Sequence, residues 1–168
     1  MNSDLACLVA ATHEENFAWA LGCCRRDRRE AEDVLQAVYL KVLDGRARFD
    51  GRSSLKTWLF AVIRRTAAQH RRLAWLGRLR FIPLTTTPDA ASAAPGADAT
   101  VEVAERREQL AQALDRLSRR QREVLLLVFY HEHTVEEAAG VLGIGVGSAR
   151  THYERGKARL RLLLGEAS

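Results

Sequence analysis

The chain has 168 residues, 47% hydrophobic and 28% charged, and its 26 Lys/Arg against 21 Asp/Glu give a formal charge of +5. That length holds one medium domain or two small ones, the composition fits a soluble globular protein, and the basic balance leans toward an acidic partner such as nucleic acid. His13, Glu14, Glu15 and Asn16 interrupt the longest apolar stretch, which argues against a membrane span; no basic start or cleavage site marks a signal peptide, so the expected place is the cytoplasm.

In chain order, Leu5, Val9, Phe17, Ala20, Leu21 and Cys24 fall on one broad face of a first helix. Cys7, Cys23 and Cys24 are odd in number and two are adjacent, so no disulfide framework is implied. They read as buried thiols, with a redox role as the alternative. After "CRRDRRE", Ala31, Leu35, Val38 and Val42 restart the spacing of three and four in a second helix. Glu32 and Asp33 are expected in its first turn, where carboxylates suit the helix dipole. "DGRARFDG" is a loop. Ser53 or Ser54 caps a third helix, whose face is Leu55, Trp58, Leu59, Val62 and Thr66, and "LAWLGRLRFIPL" extends it as a basic, apolar segment.

Composition shifts at Thr85. "TTTPDAASAAPGADAT" contains Pro and no large apolar residue, the pattern of a linker. The expected division is a domain over 1–84, an acidic flexible linker over 85–100 and a second domain over 101–168. In the second, "VEVAERREQLAQALDRL" reads as a helix. Ser118 with Gln121 forms a capping box opening "RRQREVLLLVFY", and Thr134 with Glu137 forms another opening "VEEAAGVL". Gly143 ends that helix and the next begins near Val146. No segment alternates with period two, so the fold class is all-α, two small helical bundles.

A short helix, a turn at "LGIG" and a longer helix have the sequence form of a helix-turn-helix. Val146, Ala149, Tyr153, Gly156, Leu160 and Leu163 make its inward stripe. Ser148, Arg150, Thr151, His152, Arg155 and Arg159 then face outward. Small hydroxyls and arginines early in such a helix suit a DNA major groove, where arginine grips guanine edges or phosphates.

Three stretches carry a family resemblance. "LDRLSRRQREVLLLVFYHEHTVEEAAGVLGIGVGSARTHYERGKARLRLLL" resembles region 4 of bacterial sigma factors, while "AEDVLQAVYLKVL" and "FDGRSSLKTWLFAVIRRTAAQHRR" resemble region 2. Both in this order, with a short linker between, resemble the extracytoplasmic-function (ECF) group. The resemblance implies a protein that binds core RNA polymerase, brings it to promoter DNA and helps melt it. Its C-terminal domain would read the −35 duplex through Ser148, Arg150, Thr151, His152, Glu154, Arg155 and Arg159. Its N-terminal domain would capture the −10 non-template strand, through Arg46, Arg48, Phe49 and Arg52 in the loop and Lys56, Arg64 and Arg65 on the third helix.

Glu32, Asp33, Leu35, Gln36 and Tyr39 match or adjoin the surface that docks on the clamp helices of the polymerase's largest subunit. The flap of the second-largest subunit is a further implied partner, and an anti-sigma factor a possible one. Phe49 has an alternative role as a plug anchoring its loop, and Trp58 reads as core despite matching a family position. By resemblance the linker threads toward the polymerase active site; a plain spacer explains its composition as well.

Several residues depart from the family pattern. Gly145 replaces a capping serine, Gly140 interrupts the first helix of the motif, and Ala37 stands where an acid is common. Arg65 replaces an asparagine, and Glu154 is an acid on the DNA-facing helix. A dimeric helix-turn-helix regulator acting without the sigma role is the competing function. An enzyme is not expected: His13, His70, His131, His133 and His152 are scattered, and no nucleophile elbow or phosphate loop appears. Neither a cofactor nor a metal is called for, and "HEH" at 131–133 reads as a polar loop.

Overall fold

The computed structural model describes residues 11–80 and 101–165. Leu5, Cys7, Val9 and the 85–100 linker lie outside them. The chain divides into two compact units, Met1–Ser92 and Ala93–Ser168, and all regular structure among the described residues is helical.

The first unit holds α1 (His13–Cys23), α2 (Arg28–Leu43) and α3 (Leu55–Arg80), each packed on the other two. Trp19 is its centre. The indole is fully buried, stacks on Phe60 at 5.5 Å between ring centroids, and donates from Nε1 to the Phe60 carbonyl at 3.0 Å. Asn16, also buried, donates to Thr12 Oγ1 at 3.1 Å. The buried face of α1 is thus Asn16, Trp19, Ala20 and Cys23, with Phe17 and Leu21 at its margins. This rotates the stripe expected from Phe17 and Leu21, because Trp19 brings a larger apolar area and its own hydrogen-bond partner.

The turn between α1 and α2 places Arg25 and Arg26 at positive φ. Arg71, on α3, donates to the Cys23 carbonyl and so satisfies an end group of α1. Asp27 then caps α2, its side chain accepting from Glu30 N at 3.0 Å. The helix therefore starts earlier than expected: Glu30 occupies its first turn, and Glu32 and Asp33 fall beyond it. Burial pushes the Cys24 thiol up to about 12, with Glu30 adding to the rise. Cys23 and Cys24 are both buried.

The second unit holds α4 (Val101–Asp115), α5 (Arg119–Leu125), a π-helical turn at Leu126–Tyr130, α6 (Val135–Leu142) and α7 (Val146–Gly165). Its core gathers Ala113, Leu117, Leu125 and Leu163, flanked by Tyr153 and Leu160. Both capping boxes form. The Ser118 and Thr134 side chains accept from backbone N–H groups three residues on, while Gln121 and Glu137 reach back.

"RRQREVLLLVFY" is not one regular helix; its second half widens into the π turn, with His131 N donating to the Leu126 carbonyl at 3.1 Å. His133 N continues inward to the Leu127 carbonyl at 2.9 Å, and His131 and His133 are both buried. The expected polar loop is thus packed: only Glu132, at positive φ, faces solvent.

Candidate nucleic-acid and polymerase interfaces

The turn before α7 sets which face of that helix is exposed. Gly143 takes the left-handed conformation at φ 61°, which glycine adopts without the Cβ penalty, and Ile144 N closes the end of α6 on the Ala139 carbonyl at 3.1 Å. Gly145 accepts from Ala149 N at 3.0 Å as α7 begins. Ala149, Gly156 and Leu163 are buried; Val146, expected on the same stripe, opens α7 and is 39% exposed. Gly156 lets α7 approach α5 closely, since an added Cβ would lie 3.1 Å from Gln121 Cβ and 3.2 Å from Leu125 Cδ1.

With that face pinned, Ser148, Arg150, Thr151, Glu154, Arg155 and Arg159 are exposed together along α7, and His152 is half-buried at the edge. Their partners differ. Arg150 Nη2 lies 2.7 Å from Glu136 Oε1 on α6, and this pairing holds the Glu136 carboxyl below its usual range. Thr151 Oγ1 donates to the Gly147 carbonyl at 2.9 Å. Glu154 reaches Lys157 at 3.6 Å. Among the described residues, Arg155 and Arg159 have no ion-pair partner. Glu136 was not singled out in the sequence; only the turn geometry brings it to a residue fourteen positions on.

In the first unit, the loop between α2 and α3 carries a mixed set. Arg46 pairs with Asp44 at 2.5 Å, Arg52 with Asp50 at 3.3 Å, and Arg48 Nε donates to the Gly45 carbonyl at 3.3 Å. Phe49 is 39% exposed and its ring lies 5.5 Å from that of Trp58, which is only half-buried. The aromatic pair therefore anchors the loop while leaving part of the Phe49 ring in solvent. Ser54 is the cap of α3, accepting from Thr57 N at 3.1 Å. Lys56 is turned toward α1, paired with Glu15 at 3.0 Å and 5.9 Å above the Phe60 ring. Arg64 is half-buried and Arg65 exposed.

On α2, Glu32, Asp33 and Gln36 are exposed, and Glu32 pairs with Arg28 at 3.0 Å. Leu35 departs from the expected surface: it is 3% exposed, because it belongs to the same apolar stripe as Val34 and Val38. It lies at the base of a cavity of about 320 Å³ whose rim includes His13, Phe17, Arg28, Gln36 and Tyr39. Burial raises the Tyr39 phenol, and its oxygen lies 3.0 Å from His13 Nδ1. His13, Phe17 and Arg28 were not candidates in the sequence, since only the packing of α1 on α2 makes them neighbours of Tyr39.

Residues 8–76 match the sigma-70 region 2 family and residues 107–160 the sigma-70 region 4 family. The ECF RNA polymerase sigma factor SigX of Bacillus subtilis (strain 168) is 31% identical over 156 residues, covering 92% of this chain and 80% of SigX. The RNA polymerase sigma factor CarQ of Myxococcus xanthus is 35% identical over 161 residues, covering 93% of this chain and 87% of CarQ. Among solved structures, the sigma factor RpoE of Bartonella quintana, crystallised with the anti-sigma factor NepR, shares the fold at a TM-score of 0.79. Its sequence is 22% identical, with 96% of this chain and 97% of RpoE covered. With both sigma regions matched and relatives aligned over most of their length, the chain belongs to the ECF RNA polymerase sigma factors, which direct promoter-specific transcription initiation.

Proposed function

We propose a division of that role between the two units. The exposed face of α7 reads the −35 element as duplex, and the loop at 44–54 with the adjoining face of α3 captures the −10 non-template strand. The exposed side of α2, at Glu32, Asp33, Gln36 and Tyr39, docks on the clamp helices of the polymerase's largest subunit, while the second unit meets the flap of the second-largest. The observation that carries the reading is α7 itself. One face is held on α5 at Gly156, and the exposed side of the helix flanking it presents Arg155 and Arg159 without ion-pair partners among the described residues.

An anti-sigma factor is a fitting regulator, since the similar RpoE fold was solved with one bound. The cytoplasm is the fitting place, and no described helix is long and apolar enough to cross a membrane. The role asks for no bond-making by this chain.

Run-off transcription with purified core polymerase tests the division. Arg155→Ala should cost about 1–3 kcal/mol at one base position and relax selectivity there, with core binding unchanged. Loss of core binding instead would assign α7 to polymerase.

A further inference from the structure

The helix-turn-helix is tied to α5 at Gly156 and, separately, at the turn itself. There the Gly143 and Ile144 amides bond back to the Gly140 and Ala139 carbonyls. The Leu142 carbonyl, the last of α6, accepts from a distant residue: Arg120 of α5 places Nη1 3.4 Å from it. The same nitrogen lies 3.4 Å from Glu123 Oε2, and Glu123 Oε1 accepts from Arg119 Nε at 2.9 Å. The Glu123 side chain is only 2% exposed, against 37% for Arg120. A carboxylate so deeply buried is costly unless paired, and each of its oxygens holds an arginine. An arginine at the end of a helix satisfies a carbonyl and suits the negative pole of the dipole.

We propose that Glu123 and Arg120 are positioning residues for promoter selectivity: the buried carboxylate fixes the Arg120 guanidinium on the end of α6, and this sets where the turn launches α7. The inference rests on the reading that the exposed face of α7 meets the −35 duplex. Gly156 fixes how closely α7 lies on α5, but it comes ten residues into the helix. The first two turns of α7 bury only Ala149, a single methyl, so their place depends on how the preceding turn is held. Those turns carry Ser148, Arg150 and Thr151 on the exposed side. A base edge accepts a side chain in a narrow geometry, whereas attraction to phosphates tolerates small shifts. Releasing the turn therefore lowers selectivity more than general attraction to DNA.

The test uses reconstituted holoenzyme, random duplex, and a promoter fragment that the wild-type holoenzyme recovers from fragmented genomic DNA. Arg120→Ala should lower the ratio of promoter to random affinity about three- to ten-fold, with core affinity and the salt dependence of random binding unchanged. Arg120→Lys, which keeps the charge and the donors at shorter reach, should recover part of the ratio. Glu123→Gln should match Arg120→Ala, and the double variant should fall no further than either, because the two residues act as one unit. Hydrogen exchange of the full chain should quicken at the Gly143 and Ile144 amides in Arg120→Ala. If Glu123→Gln fails to fold, Arg120→Ala, on a partly exposed residue, still decides.

An unchanged ratio in Arg120→Ala, measured beside an Arg155→Ala holoenzyme that has lost selectivity, overturns the proposal. So does an equal fall on promoter and random duplex with the slope of log affinity against log salt reduced by about 1, which would make Arg120 a phosphate contact. If Arg155→Ala also leaves the ratio unchanged, the −35 reading fails instead, and exchange at Gly143 and Ile144 then judges the tie by itself: quickened exchange keeps it, and unchanged exchange removes it.

Discussion

The Arg150 guanidinium lies against Glu136 across the glycine turn, with both side chains mostly in solvent. An exposed pair of this kind adds little to stability, but it sets where the guanidinium points, and on the proposed reading it does so before DNA arrives. If the exposed face of α7 reads the −35 element as proposed, Glu136→Gln should raise affinity for random duplex, since a negative charge leaves that face, while lowering the ratio of promoter to random binding. Anisotropy titrations of holoenzyme on both duplexes check this, and an unchanged ratio would mean that Arg150 does not read the promoter. The same pair has a pH signature. Glu136 is lowered from its ordinary 4.5 mainly by the Arg150 hydrogen bond, so the folded chain holds that proton less tightly than the unfolded one. Its small stabilisation is present above the ordinary carboxylate range and disappears as pH falls through the lowered value. Thermal midpoints of wild type and Glu136→Gln should thus draw together on acidification. Asp33 and Leu35 show why residue identity alone misleads. Leu35→Ala would open a core cavity costing about 2–5 kcal/mol, so loss of polymerase binding in that variant would report stability. Exposed Asp33→Lys is the cleaner probe: core affinity should fall in a binding titration while helical content by circular dichroism stays unchanged.

Two glycines of the helix-turn-helix sit in helices yet predict opposite responses. Gly140 is on an open face of α6 with nothing within 4 Å of an added Cβ, so Gly140→Ala should stabilise by about 0.5–1 kcal/mol through helix propensity and a less free unfolded chain. Gly156 is buried against Gln121 and Leu125, and larger side chains there must push α7 off α5. Gly156→Val should destabilise by about 1–3 kcal/mol. Denaturant midpoints compare the two, and an equal response would place the α5–α7 contact elsewhere. At this scale much of the fold was legible in the sequence. The caps at Ser118, Thr134 and Ser54, the stop at Gly143 and the start of α7 all depend on residues within a few positions of one another. The misreadings have a common physical cause in contacts between distant segments. Trp19 owes its central place to Phe60, forty-one residues away, and the rotation of α1 follows from it. His131 and His133 are buried because the π turn redirects the chain inward, which no local polarity pattern announces. The site residues divide the same way. The outward arginines of α7 follow from helical period, whereas the Glu136 contact and the His13–Tyr39 neighbourhood require the packed elements.

The α7 face and the 44–54 loop belong to different compact units, and the sequence between them, 85–100, has the small-residue composition of a tether. Each surface is one helix face or one short loop. By itself such a surface supplies chiefly salt-sensitive, sequence-independent attraction, on the order of 10⁻⁴–10⁻⁶ M at physiological salt. A promoter asks for two contacts at a set separation, which neither surface supplies by itself. In the proposed division core polymerase holds each unit, which would turn the second contact into an intramolecular event and raise its effective concentration without adding any base contact. The free chain should accordingly bind promoter duplex little better than random duplex, and holoenzyme should bind it at about 10⁻⁸ M or tighter. Lengthening the 85–100 segment with Gly/Ser should leave the weak binding of the free chain unchanged, because neither surface is altered. Anisotropy of a labelled promoter at physiological salt, with chain alone and then with added core, reads both states. Tight and specific binding by the chain alone, above all as a dimer on a palindromic site, would mean that the surfaces are aligned without polymerase, and the proposed division between −10 capture and −35 readout would fall.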